Sequence, residues 1–188
     1  MRRHVSKCRI KRWLTDVISA MGQSVFELFQ QITHGVYVVG VTHRGEDNAF
    51  TAAWLMQLSF DPLLLALSIN PCHRSYTLLT GGAVFSVNVL GAGQINLAKH
   101  FGQAAGANKL AGVPWCRKTT GAPVLCDALA YFDCRLQHRV SAGDHELVIG
   151  QVVDGQILRP GARPLVYREA AHLDGSENLF PKHFSRVR

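Results

Sequence analysis

Two β-rich runs, Ala128–Val140 and His145–Leu158, are separated only by Ser141-Ala142-Gly143-Asp144. A strand rises about 3.3 Å per residue, so each run would extend roughly 40 Å if straight. Strands usually hold about 5–6 residues, and a small domain cannot cover a flat hairpin of this length. The pair is therefore expected to bend and to carry bulges. Three shorter apolar runs read as strands beside it: Val36–Thr42, Val84–Leu90, and Leu63–Asn70, entered through Asp61-Pro62. Residues 49–58 fit strand or loop, and Pro164–Arg168 reads as a last short strand. The helical signals are brief. Ser24-Val25-Phe26-Glu27 is a capping box, with Phe26, Leu28, Phe29 and Ile32 as an apolar side and Gly35 as the stop. Ser75–Thr80, closed by Gly81-Gly82, and Gln94–Phe101 read as two more helices. These are too few and too short for a doubly wound α/β sheet. The expected class is mainly β with short helices, the strands curled into a barrel with the helices inserted.

At 188 residues and 47% hydrophobic, the chain can bury one sizeable core. Its net charge of +7 is unevenly placed. Residues 1–22 hold six Lys/Arg against Asp16 alone, and the rest of the chain holds fourteen against twelve acids. The division is thus a basic extension over 1–22, disordered or loosely helical, and one domain over 23–188. Met21 directly before the helix start reads as a second possible beginning. A nearly balanced body lacks the basic face that a nucleic-acid groove needs. Asp16 interrupts Trp13–Met21, which argues against a secretory signal. The longest apolar run, Leu63–Leu67, is far too short for a membrane helix. Cys8, Cys72, Cys116, Cys126 and Cys134 include no C-x-x-C pair, so they read as thiols rather than zinc ligands. Thiols imply a reducing compartment, hence the cytoplasm.

Few motifs carry chemistry. Gly91-Ala92-Gly93-Gln94-Ile95-Asn96 lacks the third glycine and the later acid of a dinucleotide fingerprint, and reads as a turn. No G-x-S-x-G elbow is present. Asn70-Pro71-Cys72-His73-Arg74-Ser75 ends a buried strand and opens a helix, a place where amides, a hydroxyl and an arginine suit a phosphate. The segment Gly102–Thr120 reads as a long loop of the functional kind.

Six segments in order carry a resemblance. They are Thr51-Ala52-Ala53-Trp54; Leu58-Ser59-Phe60-Asp61-Pro62; Ser68-Ile69-Asn70 with Arg74-Ser75; Phe85-Ser86-Val87-Asn88-Val89-Leu90; Gly121-Ala122-Pro123; and Gly143-Asp144-His145 with Ile149-Gly150. Over residues 24–168 they resemble the flavin reductase family with its FMN-binding split β-barrel. The resemblance implies a homodimer with FMN near the subunit interface and NADH or NADPH as electron donor. It places Thr51, Ala52, Ala53 and Trp54 along the flavin, and Ser68, Asn70, Arg74 and Ser75 at the ribityl chain and phosphate. Ser86, Asn88 and Val89 would border the cofactor, and His145 would act where nicotinamide stacks. Trp54 departs from the small residue common there. No metal is implied. The flavin does the hydride chemistry and the protein supplies binding and electrostatics. A monooxygenase or another acceptor is the implied partner. Two other readings remain at this point: an electron carrier that holds FMN tightly, and a non-flavin binding module on the same barrel.

Overall fold

The computed structural model describes residues 24–103, 108–170, 175–182 and 184. The basic extension, Cys8, His172, His183 and residues 104–107 of the long loop lie outside them. The chain forms two units, one of residues 33–174 and one of the terminal segments up to Ile32 and from Gly175.

In the smaller unit the capping box forms as its spacing requires. Ser24 Oγ accepts from the Glu27 N–H, and the Glu27 carboxylate accepts from the Ser24 N–H. Helix α1 nevertheless covers only Val25–Phe29. Leu28, Phe29 and Ile32 are exposed, so the expected apolar side does not extend the helix to Gly35. The Phe26 and Phe29 rings both lie against Phe180, which follows a short 3₁₀ turn at Ser176–Leu179.

The larger unit is built on strands β1 (Tyr37–His43), β2 (Glu46–Ala52), β3 (Leu55–Phe60), β4 (Leu63–Ile69), β5 (Val84–Val89), β8 (Ala130–Ala142) and β9 (His145–Ile157). They form one antiparallel sheet in the order β2-β1-β5-β8-β9-β4-β3. Between them lie α2 (Arg74–Gly82), α3 (Ile95–Gly102), α4 (Tyr167–Ala170) and a two-stranded ribbon of β6 (Trp115–Arg117) and β7 (Pro123–Leu125). Arg44 and Gly45, both with positive φ, make the tight β1–β2 turn. The long hairpin carries register shifts at Asp133/Cys134 and Leu136/His138. The ambiguous stretch 49–58 resolves into the end of β2, the linker Ala53-Trp54, and most of β3. Pro164–Arg168 is not a strand. Gly91–Pro164 and Gly35–Val166 make isolated bridges, and the chain then turns into α4.

The two edge strands β2 and β3 are consecutive in the chain. Three peptide steps of 3.8 Å bring Ala52 within about 11 Å of Leu55 at most. The sheet must therefore curl until its edges nearly meet, and no ladder joins β2 to β3 among the described residues. The result is an open, split barrel. Alternation along β1 explains its two cores. Val39 and Val41 point inward with Phe50, Leu67, Phe85, Val87 and Val148 under α2. Val36 and Val38 point outward into a second cluster with Phe101, Leu125 and Leu165. With both faces buried, β1 reads as a nearly continuous apolar run.

Gly40 lies on the outward face of β1, where β7 crosses. A Cβ there would run into the Pro123 carbonyl oxygen and sit 2.6 Å from Ser86 Oγ. Gly40→Ala is expected to destabilise the chain by about 1–3 kcal/mol, as overpacking does. A lowered urea midpoint at unchanged slope would show it. An unchanged midpoint would mean that β7 yields freely. Among the described residues no helix is long and apolar enough to cross a membrane.

Candidate functional site

Strand β2 borders two cavities. The smaller, about 140 Å³, is lined by Thr51, Ala52 and Ala53, by Lys99 and Gly102 of α3, and by Tyr167 and Ala170 of α4. The larger, about 580 Å³, is lined by Glu46, Asp47 and Asn48, by Arg74, by Lys109, and by Trp115. Asn48 and Thr51 are three residues apart on one strand, so the cavities lie about 10 Å apart along it.

Thr51 Oγ1 donates to the Ala98 carbonyl at 2.6 Å and ties β2 to α3. The linker then leaves the sheet. Trp54 O accepts from the Ser68 N–H at 3.0 Å, which is how Ser68 of β4 reaches this region. The N–H groups of Ala53 and Trp54 meet no acceptor among the described residues. The half-exposed Trp54 ring packs on the His145 ring, centroids 5.1 Å apart. His145 opens β9, directly after the turn at Gly143 (φ 69°). Its Nδ1 lies 2.9 Å from Asp144 Oδ1. That hydrogen bond, and then the charge of His145, hold the Asp144 carboxyl below its ordinary value. An ionised carboxylate only accepts, so Nδ1 carries the hydrogen. Tyr76 of α2 fastens this hairpin end by donating to Glu146 Oε2 at 2.5 Å and accepting from Arg139 at 2.8 Å.

The start of α2 uses most of its amides internally. Asn70 Oδ1 accepts from the Cys72 N–H, the Asn70 carbonyl accepts from the His73 N–H, and His73 Nδ1 accepts from the Ser75 N–H. Burial, and then the charge of Lys109, push the His73 pKa down, so its ring stays neutral and can accept. Ser75 is fully buried, and its hydroxyl accepts from Asn48. Arg74 alone of this group faces the larger cavity, paired at 2.5 Å with Glu46. Lys109 is nearly buried, which lowers its pKa, and its ammonium donates to the Phe101 and Gln103 carbonyls at the end of α3.

The structure thus brings Thr51, Ala52, Ala53, Trp54, Ser68 and His145 into one neighbourhood and Asn70, Arg74 and Ser75 into another along the same strand. Ser86, Asn88 and Val89 line neither cavity. Ser86 and Asn88 are fully buried and fasten β7: Ser86 Oγ donates to the Pro123 carbonyl, and Asn88 Oδ1 accepts from the Leu125 N–H at 2.8 Å. Sequence reasoning missed Lys99, Tyr167, Asn48 and Trp115. The only signal toward Lys109 and Trp115 was their place in the long Gly/Ala-rich loop.

The chain is 31% identical over 132 residues to diflavin flavoprotein A 1 of Synechocystis, covering 69% of this chain and 23% of that protein. It spans about a quarter of the length of the first such curated relatives it matches. Among solved structures, the NADH:FAD oxidoreductase of Streptomyces globisporus superposes with a TM-score of 0.69 at 28% identity, over 74% of this chain and 84% of that one. A nitrilotriacetate monooxygenase component B from Mycobacterium thermoresistibile gives 0.70 at 26% identity, over 82% and 84%. A family model, the flavin reductase like domain, matches residues 29–173, and with more than half its length inside that model the chain belongs to the flavin reductase-like family.

Proposed function

We propose that the chain is an NAD(P)H-dependent flavin reductase that holds FMN along β2 and passes its electrons to a partner such as a monooxygenase. The observation that carries this reading is the Ala53-Trp54 linker. Ala53 lines the smaller cavity, the N–H groups of Ala53 and Trp54 meet no acceptor among the described residues, and Trp54 carries an aromatic contact with His145. Reduced flavin gathers negative charge on its pyrimidine edge, and unpartnered amides suit that charge. Arg74, in the larger cavity toward the start of β2, suits a phosphate. The residues therefore fit FMN. When bound, the flavin supplies the hydride-accepting ring. The chain binds it through Ala53, Trp54 and Arg74, and His145 orients the nicotinamide or moves a proton. The relatives' names support the donor and the role: one is an NADH:FAD oxidoreductase and one a monooxygenase component.

The decisive measurement is NADH and NADPH oxidation as FMN is added. Turnover that rises with added FMN supports a reductase. A yellow protein that does not oxidise either nucleotide supports the electron carrier instead, a reading favoured by the diflavin flavoproteins, in which a related segment is one part of a longer chain. A colourless protein that binds no flavin overturns both.

Arg74→Ala is expected to weaken FMN binding about tenfold, the low end for a charge-assisted bond, because Arg74 is largely exposed and shared with Glu46. Riboflavin, which lacks the phosphate, should bind almost unchanged. Equal losses for both flavins, measured by fluorescence quenching, would remove Arg74 from the phosphate site.

We propose that two copies of the chain form a homodimer. Met56, Leu58, Phe60, Leu63 and Ile157 expose an apolar surface on β3, β4 and β9, beside a groove of about 560 Å³. A second copy would cover it. Phe60→Asp is expected to sediment as a monomer, and an unchanged dimer would place the interface elsewhere. The thiol state of the described cysteines fits a cytoplasmic protein.

A further inference from the structure

The β6–β7 ribbon carries two cysteines. Cys116 stands opposite Val124, and Cys126 follows Val124 by two residues. Side chains two apart on a strand share a face, so the two thiols are diagonal neighbours on one side of the ribbon. The Cys126 N–H donates to the Pro114 carbonyl at 3.0 Å, which continues the ladder and fixes that register. After desolvation, the nearness of Cys116 is the next cause that raises the Cys126 pKa, so the two thiols act on one another. Cys126 is exposed and Cys116 half-buried. Lys118 Nζ lies over the Tyr131 ring, and the neighbouring Asp127 is paired with Arg159 at 2.6 Å. Solvent access and a second thiol on the same face of the ribbon distinguish a redox pair from a packing cysteine. Cys134 shows the contrast: it is fully buried, and burial pushes its thiol up to about 12.

We propose that Cys116 and Cys126 are a peroxide-sensitive dithiol that closes to an intramolecular disulfide. The Cys116 thiolate attacks one oxygen of hydrogen peroxide; the O–O bond breaks, and a sulfenic acid and one water result after proton uptake. The Cys126 sulfur then gives up its proton and attacks the Cys116 sulfur. The S–S bond forms and the sulfenic oxygen leaves as a second water. Two thiols are oxidised and one peroxide is reduced. Desolvation, and then the charge of Cys116, raise the Cys126 pKa, so its thiol gives up its proton only as it attacks in the second step. Closure would tie off residues 117–125, including Arg117, which forks onto Asp47 beside the larger cavity. A reduced flavin that meets oxygen yields peroxide, but the proposal needs only the oxidant and stands apart from the flavin reading.

The test is stepwise hydrogen peroxide on the reduced full chain, followed by alkylation and peptide mapping. Trypsin cuts after Arg117 and Lys118, so the link appears as two joined peptides. Cys116 and Cys126 should lose alkylation together, about tenfold faster than exposed Cys72, and dithiothreitol should restore both. In Cys126→Ser, dimedone should trap a sulfenic acid at Cys116 and no link should form. In Cys116→Ser, Cys126 should oxidise no faster than Cys72. Independent loss at the Cys72 rate, a link between two chains, or two thiols still fully alkylatable would each overturn the proposal.

Discussion

Flavin reduction in the His145→Ala protein is expected to run about a hundredfold slower than in the unaltered chain, the low end for a residue that orients or protonates a reacting group. The backbone that presents His145 is fixed on three sides. Gly143 makes the turn, Asp144 fixes the ring through Nδ1, and the Tyr76–Glu146–Arg139 knot holds the adjoining residue. With Nδ1 protonated, Nε2 is the acceptor of the neutral ring. The side chain also packs on Trp54, whose own amide belongs to the proposed flavin contact. Loss of the imidazole therefore removes an aromatic wall and an acceptor without disturbing a core. Stopped-flow reduction of FMN-loaded protein by NADH and by NADPH reads the rate, and FMN affinity is measured separately. A large rate loss with FMN affinity kept within about threefold is the expected pattern. Unchanged rates with both donors would leave His145 as a turn residue whose business is Asp144.

Asn88→Ala is expected to lower stability by about 3 kcal/mol or more, a large part of what a single domain has. Asn88 Nδ2 donates to the Val38 carbonyl at 2.9 Å and to Ser86 Oγ at 3.1 Å, and Oδ1 accepts from the Leu125 N–H. All of these residues are fully buried. Alanine strands the Leu125 donor without water, which costs about 1–3 kcal/mol by itself. The space left by the amide adds a cavity cost. Urea unfolding measures the sum. A loss below about 1 kcal/mol with a weakened FMN affinity would instead return Asn88 to the cofactor-bordering role that the resemblance implied.

Which parts of this were legible in the residues follows from range. The hairpin β8–β9, its bulges, the strands β1, β4 and β5, and α2 and α3 are written in local periodicity and turn chemistry. So was the capping box, though not where α1 ends, because helix length depends on what covers Phe29 and Ile32. Pro164–Arg168 has the composition of a strand, but only two of its residues find bridging partners. Short β6 and β7 lack a periodic signal; Asn88 and Ser86 hold β7, and β6 pairs with it. The same long-range bonds show that those two polar residues, which the resemblance sets beside the cofactor, also hold β7 in place. Arg74 was legible as a cation at a helix start; its partner Glu46, 28 residues earlier, was not.

The sheet order has a kinetic consequence. It is assembled from three chain-local hairpins, β1–β2, β3–β4 and β8–β9, and one strand, β5, that has no local partner. Hairpins close in about 1–10 μs. The ladders β1–β5, β5–β8 and β4–β9 must instead close long loops, and such topologies fold on the millisecond-to-second scale. Strand β5 joins the first hairpin to the third, so the first hairpin enters the sheet only once Val84–Val89 lies between them. Until then the first hairpin and the ribbon of the other two, which pair directly through β4–β9, carry open edges, and refolding yield is expected to fall as concentration rises.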